Sequence, residues 1–387
     1  MPVLLLFVFL IVAFTVVSVI SDFTVTDFFT FWLAGRMTLQ GQDIYSETSW
    51  IAAHHFYGST WMPNPIFPYP IALSLFLIPL GALPLKTAYF VWIFLSQVLL
   101  LLSVFLLLDA WKDKERATTG YFLVITMLLF RPIMVTLFTA QFVAFFLVLS
   151  SLTIYFWKKE NWFLGGLIIA LLNFKPSYGA LILVLVGIWL LFEKQKMAIW
   201  GIIIGNLILG FVGLLQNPRW IQLFWETGKR KSGQTFGLYP TMWSGLNLMC
   251  KKNGICIAIA GGAIILLLLS LYIYLLYSNR NLRLDSLNVM ALVIPIALLV
   301  TYNWAYDQTM LVIPITFCVS FLATNHKQWS KLFPILVDLV SLSLLIWAYF
   351  RKIDIWSLLL PAGLLVIVFW FWVTTPKQAL VTQGIES

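Results

Sequence analysis

The chain has 387 residues, of which 61% are hydrophobic and only 10% are charged. Water-soluble domains carry about 25% charged residues, so this composition, with a mean hydropathy of +0.94, excludes an ordinary soluble fold. The formal net charge of +9 lies mostly in short loops, where basic residues mark cytoplasmic turns and are attracted by anionic headgroups. No nucleic-acid partner is therefore expected.

Apolar stretches of about 20 residues are long enough to cross a bilayer, and they predict an all-α polytopic integral membrane protein. The whole chain, 1–387, is predicted to form one transmembrane domain, because no polar stretch is long enough to bury its own core. Met1 to Ile20 has neither a basic start nor a clear small-residue cleavage site, so we interpret it as a retained first span. Thirteen candidate spans follow one another along the sequence: 1–20, 67–84, 88–109, 119–137, 139–156, 162–174, 177–192, 197–215, 254–277, 287–301, 309–323, 332–350 and 354–373.

Charged loops predict the orientation of these spans. The Lys/Arg-bearing loops 110–118, 157–161, 193–196 and 279–285 are predicted to be cytoplasmic. A cytoplasmic 110–118 requires that 67–84 does not cross, and its four prolines favour a re-entrant or interfacial segment. The prediction is twelve spans with both termini inside, and thirteen spans are the alternative.

Two long polar segments, 21–66 and 216–252, then fall on the non-cytoplasmic side. The second carries six basic residues, which breaks the positive-inside rule, although that rule weakens in longer loops. Its Cys250 and the following Cys256 are close enough in sequence to pair, but free thiols are the favoured interpretation, and neither they nor Cys318 has a metal-ligand spacing.

A helix is predicted to start at Asp27 and to end before Gly41, which suits the position after a helix C-cap. Its predicted apolar face would lie along the membrane surface, as amphipathic helices do. Asp27 has two interpretations: a favourable N-terminal residue, or a carboxylate placed to accept a proton from an acceptor hydroxyl. Asp22 is the rival for either role. The apolar face contains Phe28, Phe31, Trp32, Gly35 and Leu39.

Three polar residues interrupt apolar stretches further along the chain. Lys175 ends a short span; it either reaches the headgroups or binds a phosphate oxygen as a compact ammonium. Arg131 and Gln141 lie on what should be the outer half of the membrane, where a buried Arg needs an anion. The alternative for both is a polar contact between helices.

The segment 301–308 is dense in aromatic, amide and acidic side chains between two spans. An interfacial aromatic belt accounts for Tyr302, Trp304 and Tyr306. It does not account for Asp307, an acid at the membrane edge. With Asn303 beside them, these residues also match a sugar-binding surface.

The order and spacing of these motifs resemble glycosyltransferase family 87, the polyprenol-phosphate-mannose-dependent group with the GT-C membrane fold. The resemblance spans most of the chain. It departs from the family at Ala140, where glycine is frequent, and at Tyr306-Asp307, where the family often has histidine. The motifs are Asp27 with Phe-Phe-Thr-Phe-Trp, Gly41-x-Asp43-x-Tyr45, Phe67-Pro68-Tyr69-Pro70, the segment Pro79 to Pro84, Ala140-Gln141, Lys175-Pro176 and Tyr302-Asn303-Trp304-Ala305-Tyr306-Asp307.

The resemblance implies an inverting hexosyltransferase in a GT-C-type helix bundle, with Asp27 as the general base. It implies a polyprenyl-phosphate sugar as donor substrate, with mannose as the favoured sugar, and a lipid or glycan as acceptor. Membrane lipids are the other implied partners. Lys175, Arg131 and Gln141 are assigned to the donor phosphate. No cofactor is implied, and without a D-x-D motif in the outer loops no metal is required. The expected location is a bacterial plasma membrane. The sugar or acceptor is assigned to Tyr302, Asn303, Trp304, Tyr306 and Asp307.

Two other classes of protein share some of these features. A transporter or flippase for a polar or lipid-linked solute would use the same intramembrane charges. Against it, the polar groups cluster near one face rather than at mid-bilayer, and no internal repeat is visible. A non-catalytic assembly subunit is the third interpretation.

Overall fold

The computed structural model describes residues 2–62, 66–109, 120, 123–124, 127–232, 239–279, 284–351 and 353–374. Within these ranges the chain forms helices joined by short turns, and no strand. Four 3₁₀ turns, Phe23–Val25, Leu171–Phe174, Ala305–Leu311 and Ile355–Leu358, extend or connect the helices. The helices are α1 (Pro2–Val19), α2 (Asp27–Leu39), α3 (Glu47–Phe56), α4 (Ala72–Phe76), α5 (Ile78–Gly81), α6 (Leu85–Asp109), α7 (Arg131–Phe138), α8 (Val143–Lys158), α9 (Trp162–Ala170), α10 (Pro176–Phe192), α11 (Lys196–Gln216), α12 (Trp220–Ser232), α13 (Met242–Met249), α14 (Gly254–Ser278), α15 (Ser286–Val300), α16 (Val312–Asn325), α17 (Lys327–Arg351) and α18 (Leu359–Thr374).

Many of these helices are long and apolar enough for a membrane. Among the described residues, 6 helices could cross a bilayer by length and composition, and further apolar helices are shorter. The shorter α8 and α15 are largely buried between their neighbours, so they need not match the bilayer alone. The predicted all-α polytopic membrane protein is confirmed. The candidate span 119–137 lies partly outside the described residues, and the number of spans stays a prediction.

One end of the bundle gathers three of the loops that were predicted to be cytoplasmic. Lys158, at the end of α8, lies 2.8 Å from the carboxylate of Asp285, just before α15. Glu193, just after α10, lines the same cleft as Glu160 and Leu284. The loops after α8 and α10 and the turn before α15 therefore lie together, and we call this the basic end.

The opposite end gathers the polar segments, and we call it the site end. The helices α8, α10 and α15 run there from the basic end, so they bring Gln141, Lys175 and the segment 301–307 to it. Asn217, which follows α11, donates to both carboxylate oxygens of Asp43 at 3.4 Å. The segments 21–66 and 216–252 thus meet at this end.

The proline-containing segment 67–84 forms two short helices, α4 and α5, instead of one span, as its prolines predict. Both pack against α2. A Cβ at Gly35 would lie 2.3 Å from the carbonyl oxygen of Leu77, and one at Gly81 would lie 2.3 Å from the backbone nitrogen of Arg36. Only glycine permits this approach, so two glycines position α2 against the segment 67–84.

Helix α2 starts at Asp27, and Gly41 follows it with a φ of 68°, as predicted. Its position differs from the predicted surface position. All residues from Phe28 to Gly35 are buried, whereas Leu39, which was assigned to the apolar face, is 48% exposed. Because α3, α4, α5 and α6 surround α2, the stretch from Phe28 to Gly35 is buried on all sides, including the polar Thr30.

The prediction of free thiols at Cys250 and Cys256 is wrong, because the two form a disulfide. Cys250 follows α13 and Cys256 lies in the first turn of α14. The tight turn between these helices, with the Asn253 side chain capping α14, brings the two Cα atoms to 5.8 Å. That separation is typical of disulfides. Cys318 is free and buried.

Candidate active site

Asp27 is held by a glutamine from a distant part of the chain. It is the first residue of α2, and Thr26 rather than Asp27 occupies the N-cap position. The Gln141 Nε2 donates to Asp27 Oδ2 at 2.6 Å. Gln141 is 2% exposed, and its backbone oxygen accepts from Trp92 Nε1 at 3.4 Å. An amide donor of this kind stabilises and orients an ionised carboxylate.

Ala140 shows why glycine is frequent before this glutamine in the family that the chain resembles. Its φ is 49°, in the left-handed region that residues with a Cβ rarely adopt. Ala140 is fully buried, so the turn that presents Gln141 is enclosed. With alanine in place of glycine, the chain keeps the same turn, but the backbone of Ala140 is strained.

The rival acid Asp22 has a structural role. It caps the 3₁₀ turn before α2, where its Oδ1 accepts from the Thr24 hydroxyl at 2.7 Å and from the Thr24 backbone at 2.8 Å. These hydrogen bonds, the hydroxyl contributing most, lower the pKa of Asp22. A carboxylate with a lowered pKa is a weaker base.

Lys175 and Asp307 form a buried ion pair. Lys175 lies in the break between a 3₁₀ turn and α10, and its Nζ is 2.5 Å from Asp307 Oδ1. Lys175 is 8% exposed and Asp307 is fully buried. The ammonium also lies 4.9 Å from the ring centroid of Tyr306 and 5.4 Å from that of Tyr178. The charge of Lys175 is thus matched within the protein.

Tyr69 is an aromatic side chain of the segment 67–84 that packs against α2. Its backbone oxygen accepts from the Tyr45 hydroxyl. Its ring lies 5.2 Å from that of Phe31 in α2. Tyr69 was predicted only as part of the motif Phe67-Pro68-Tyr69-Pro70. Its place between two prolines, which restrict the backbone, is the signal by which it could have been found.

An aromatic cluster, which we call the aromatic shelf, lies beside this ion pair and consists of Tyr239, Tyr302 and Trp304. The Tyr239 ring lies 4.7 Å from Tyr302 and 4.4 Å from Trp304. Trp304 is 43% exposed, and its backbone N–H donates to Asp307 Oδ2 at 2.8 Å. One carboxylate oxygen of Asp307 therefore contacts Lys175 and the other contacts the backbone of the shelf residue Trp304. Sequence analysis missed Tyr239, which lies outside the motifs.

Two further predicted site residues have partners within the protein. The Arg131 guanidinium lies 2.7 Å from Asp354 and donates to the Ser357 hydroxyl. This matches the alternative role predicted for Arg131, a polar contact between helices. The Asn303 amide donates to the backbone oxygens of Leu298 and Thr301. Among the described residues, Arg131 is linked to Asp307 only indirectly, through Ser357 and the neighbouring Gln308.

The sequence model of glycosyltransferase family 87 matches residues 67–301. Gln141 and Lys175 lie inside the match, whereas Asp27 and Asp307 lie outside it. No curated protein and no solved structure matches the chain. The family match covers more than half of the 387 residues. It agrees with the helical membrane bundle and with the motifs that meet at the site end, so the chain belongs to glycosyltransferase family 87 and is a membrane glycosyltransferase.

Proposed function

We propose that the protein transfers a hexose from a polyprenyl-phosphate donor to the hydroxyl of a lipid or glycan acceptor, with inversion at the anomeric carbon. Mannose is the favoured hexose. The observation that supports this most directly is that Asp27, held by Gln141, and Lys175, paired with Asp307, lie at the same end of the bundle. A base and a cation at the same end of a membrane bundle suit a donor whose lipid tail lies in the bilayer. The donor is a substrate, and no cofactor is part of the proposal.

Asp27 is the proposed general base. Its carboxylate would take the proton of the acceptor hydroxyl as that oxygen bonds to the anomeric carbon. The bond from the anomeric carbon to the phosphate oxygen breaks on the opposite face, which inverts the centre. The Gln141 amide on Oδ2 keeps the carboxylate oriented.

Lys175 is the proposed phosphate ligand. The departing polyprenyl phosphate gains negative charge, which a fixed cation stabilises. In the structure Asp307 balances this cation, so the donor phosphate must share Lys175 with Asp307 or replace it. Arg131, which Asp354 already neutralises, is proposed to stabilise the helix packing next to the site.

The aromatic shelf is the proposed sugar-contacting surface. Trp304 is the most exposed of its rings, and aromatic faces with polar groups beside them suit the mixed apolar and hydroxylated faces of a sugar. Tyr306, stacked on Trp304 at 6.2 Å, continues this surface towards Lys175.

We propose that the site end faces the non-cytoplasmic side of a bacterial plasma membrane. Disulfides persist in oxidising compartments, and Cys250 of the Cys250–Cys256 disulfide lies in the segment 216–252, which also contributes Tyr239 to the aromatic shelf. The loops at the opposite end carry the basic residues that favour the cytoplasm.

The direct test is transfer by the purified protein in lipid nanodiscs. Polyprenyl-phosphate-mannose and a panel of lipid and glycan acceptors should give a mannosylated product of inverted anomeric configuration, with stoichiometric release of polyprenyl phosphate. Movement of the intact donor between leaflets of proteoliposomes, without release of polyprenyl phosphate for any acceptor, would instead support the transporter.

A further inference from the structure

A second site lies at the basic end, far along the bundle from Asp27. An open cleft of about 300 Å³ is formed there by Glu160, Trp162, Trp189, Glu193, Gln195 and Leu284. Its volume is at the lower end of the range of small-molecule sites, about 300–1,000 Å³. Because α8 and α10 separate it from the site end, the proposed transfer reaction does not use it.

The cleft presents acids in a region of the chain that is otherwise basic. Lys158 pairs with Asp285. The Lys159 ammonium lies 5.7 Å from the ring centroid of Tyr155, one turn earlier in α8. In the part of the chain that the structure describes, no cation forms an ion pair with Glu160. The carboxylate of Glu160 is therefore available to a cation from outside.

Tryptophan rings form the wall of the cleft. Trp162 and Trp189 lie 6.2 Å apart, and Trp157 packs behind them at 5.9 and 5.5 Å. A Cβ at Gly165 would lie 2.4 Å from the Trp157 indole nitrogen, so glycine makes the cluster possible. Tryptophan faces attract ammonium groups more strongly than other aromatic rings.

Trp189 adds a separate requirement. It is fully buried, and its indole N–H finds no hydrogen-bond partner among the described residues. A buried donor without an acceptor is costly, and Trp189 lines the cleft, so a ligand oxygen that displaces the side chains covering the indole would satisfy it. The cleft thus offers carboxylate and aromatic partners for a cation and a donor for an oxygen.

We propose that this cleft binds the headgroup of an ammonium-bearing phospholipid of the ethanolamine type. The ammonium lies between Glu160 and the Trp162 face, and a phosphate oxygen accepts from the Trp189 indole. A lipid rather than a soluble amine fits, because exposed apolar side chains next to the cleft can contact acyl chains. These are Leu191, Phe192 and Met197, which are 66%, 43% and 58% exposed.

Native mass spectrometry of the purified protein in detergent tests the proposal. Phosphatidylethanolamine, phosphatidylglycerol and free phosphoethanolamine are titrated in parallel. Phosphatidylethanolamine should be retained more strongly than phosphatidylglycerol, and Glu160→Gln and Trp162→Leu should each weaken its binding by about fivefold or more. Glu226→Gln and Trp225→Leu, exposed residues of α12 towards the other end, are the matched controls and should bind as the wild type does.

Three results would overturn it. Equal retention of the two lipids by the wild type would remove the need for an ammonium. Binding of phosphatidylethanolamine that is unchanged in Glu160→Gln would place the lipid elsewhere; this exposed position can be changed without unfolding the protein. Competition by free phosphoethanolamine at the same concentration as the lipid would assign the cleft to a soluble amine instead.

Discussion

At the scale of single residues, Ala140 links backbone conformation to the position of Gln141. Its φ of 49° is unfavourable for a residue with a Cβ, by about 1–2 kcal/mol, while its buried methyl group contributes about 0.8 kcal/mol. We expect Ala140→Gly to change the free energy of unfolding by less than about 1 kcal/mol and to retain transfer. Thermal unfolding and turnover measure this.

Ala140→Val is the matched control for that prediction. A β-branched side chain adds volume at a fully buried position and disfavours a positive φ. We expect it to displace Gln141 and to lower turnover by more than it lowers donor affinity. Normal turnover in Ala140→Val would show that the Gln141 contact with Asp27 does not matter for the reaction.

Replacing Lys175 changes both the stability of the fold and the binding of the donor, and the two effects must be measured separately. Lys175→Ala leaves Asp307 buried without a counter-ion, which costs about 3–5 kcal/mol, so poor folding alone could explain its loss of activity. The double variant Lys175→Met with Asp307→Asn removes both charges. We expect it to regain most of the stability and still to bind the donor about tenfold to a hundredfold more weakly.

Donor binding to this double variant is measured by titration of the nanodisc-embedded protein, with unfolding temperature recorded alongside. Affinity equal to that of the wild type, in a stable double variant, would show that Lys175 is only the counter-ion of Asp307 and has no role at the phosphate.

At the scale of secondary-structure elements, the contact of α2 with α5 positions Asp27. A methyl group at Gly35 would meet the Leu77 carbonyl oxygen at 2.3 Å, and backbone cannot move aside as a flexible side chain does. We expect Gly35→Ala to lower the unfolding temperature and to reduce turnover. Gly187→Ala in α10, where no atom lies within 4 Å of the added Cβ, should be neutral or slightly stabilising. Equal behaviour of both variants would contradict the close approach.

The elements also show how far the sequence predicts this fold. The start of α2, the φ of Gly41 and the interrupted segment 67–84 follow from local rules on helix ends and prolines, so they were predictable. The burial of α2 was not, because residue spacing shows an apolar face but not how many neighbours surround a helix.

The sequence singles out most of the residues that meet at the site end, except Tyr239, but it does not indicate which of them pair. Asp27 and Gln141 are separated by 114 positions, and Lys175 and Asp307 by 132. Nothing local in one sequence indicates which helix ends meet. The same limit explains Arg131, whose partner Asp354 lies 223 positions away, and the Cys250–Cys256 disulfide, which depends on the angle between two helices.

At the scale of the whole molecule, the two ends of the bundle should face opposite sides of the membrane. Both Gln42 at the site end and Lys159 at the basic end are exposed, so each can be replaced by cysteine in a chain whose Cys250 and Cys256 are serine. A membrane-impermeant thiol reagent should label Gln42→Cys in intact cells and Lys159→Cys only after permeabilisation. Labelling of both from the same side would refute the orientation.

The most direct test of the account is turnover by Asp27→Asn. Asparagine keeps the size of the side chain and its place at the start of α2, but it cannot accept the proton. We predict normal expression and donor affinity, with turnover lower by about a hundredfold or more, while Asp22→Asn, which changes only the cap of the 3₁₀ turn, keeps near-normal turnover. Near-normal turnover in Asp27→Asn, or its loss in Asp22→Asn alone, would contradict the assignment of Asp27 as the base.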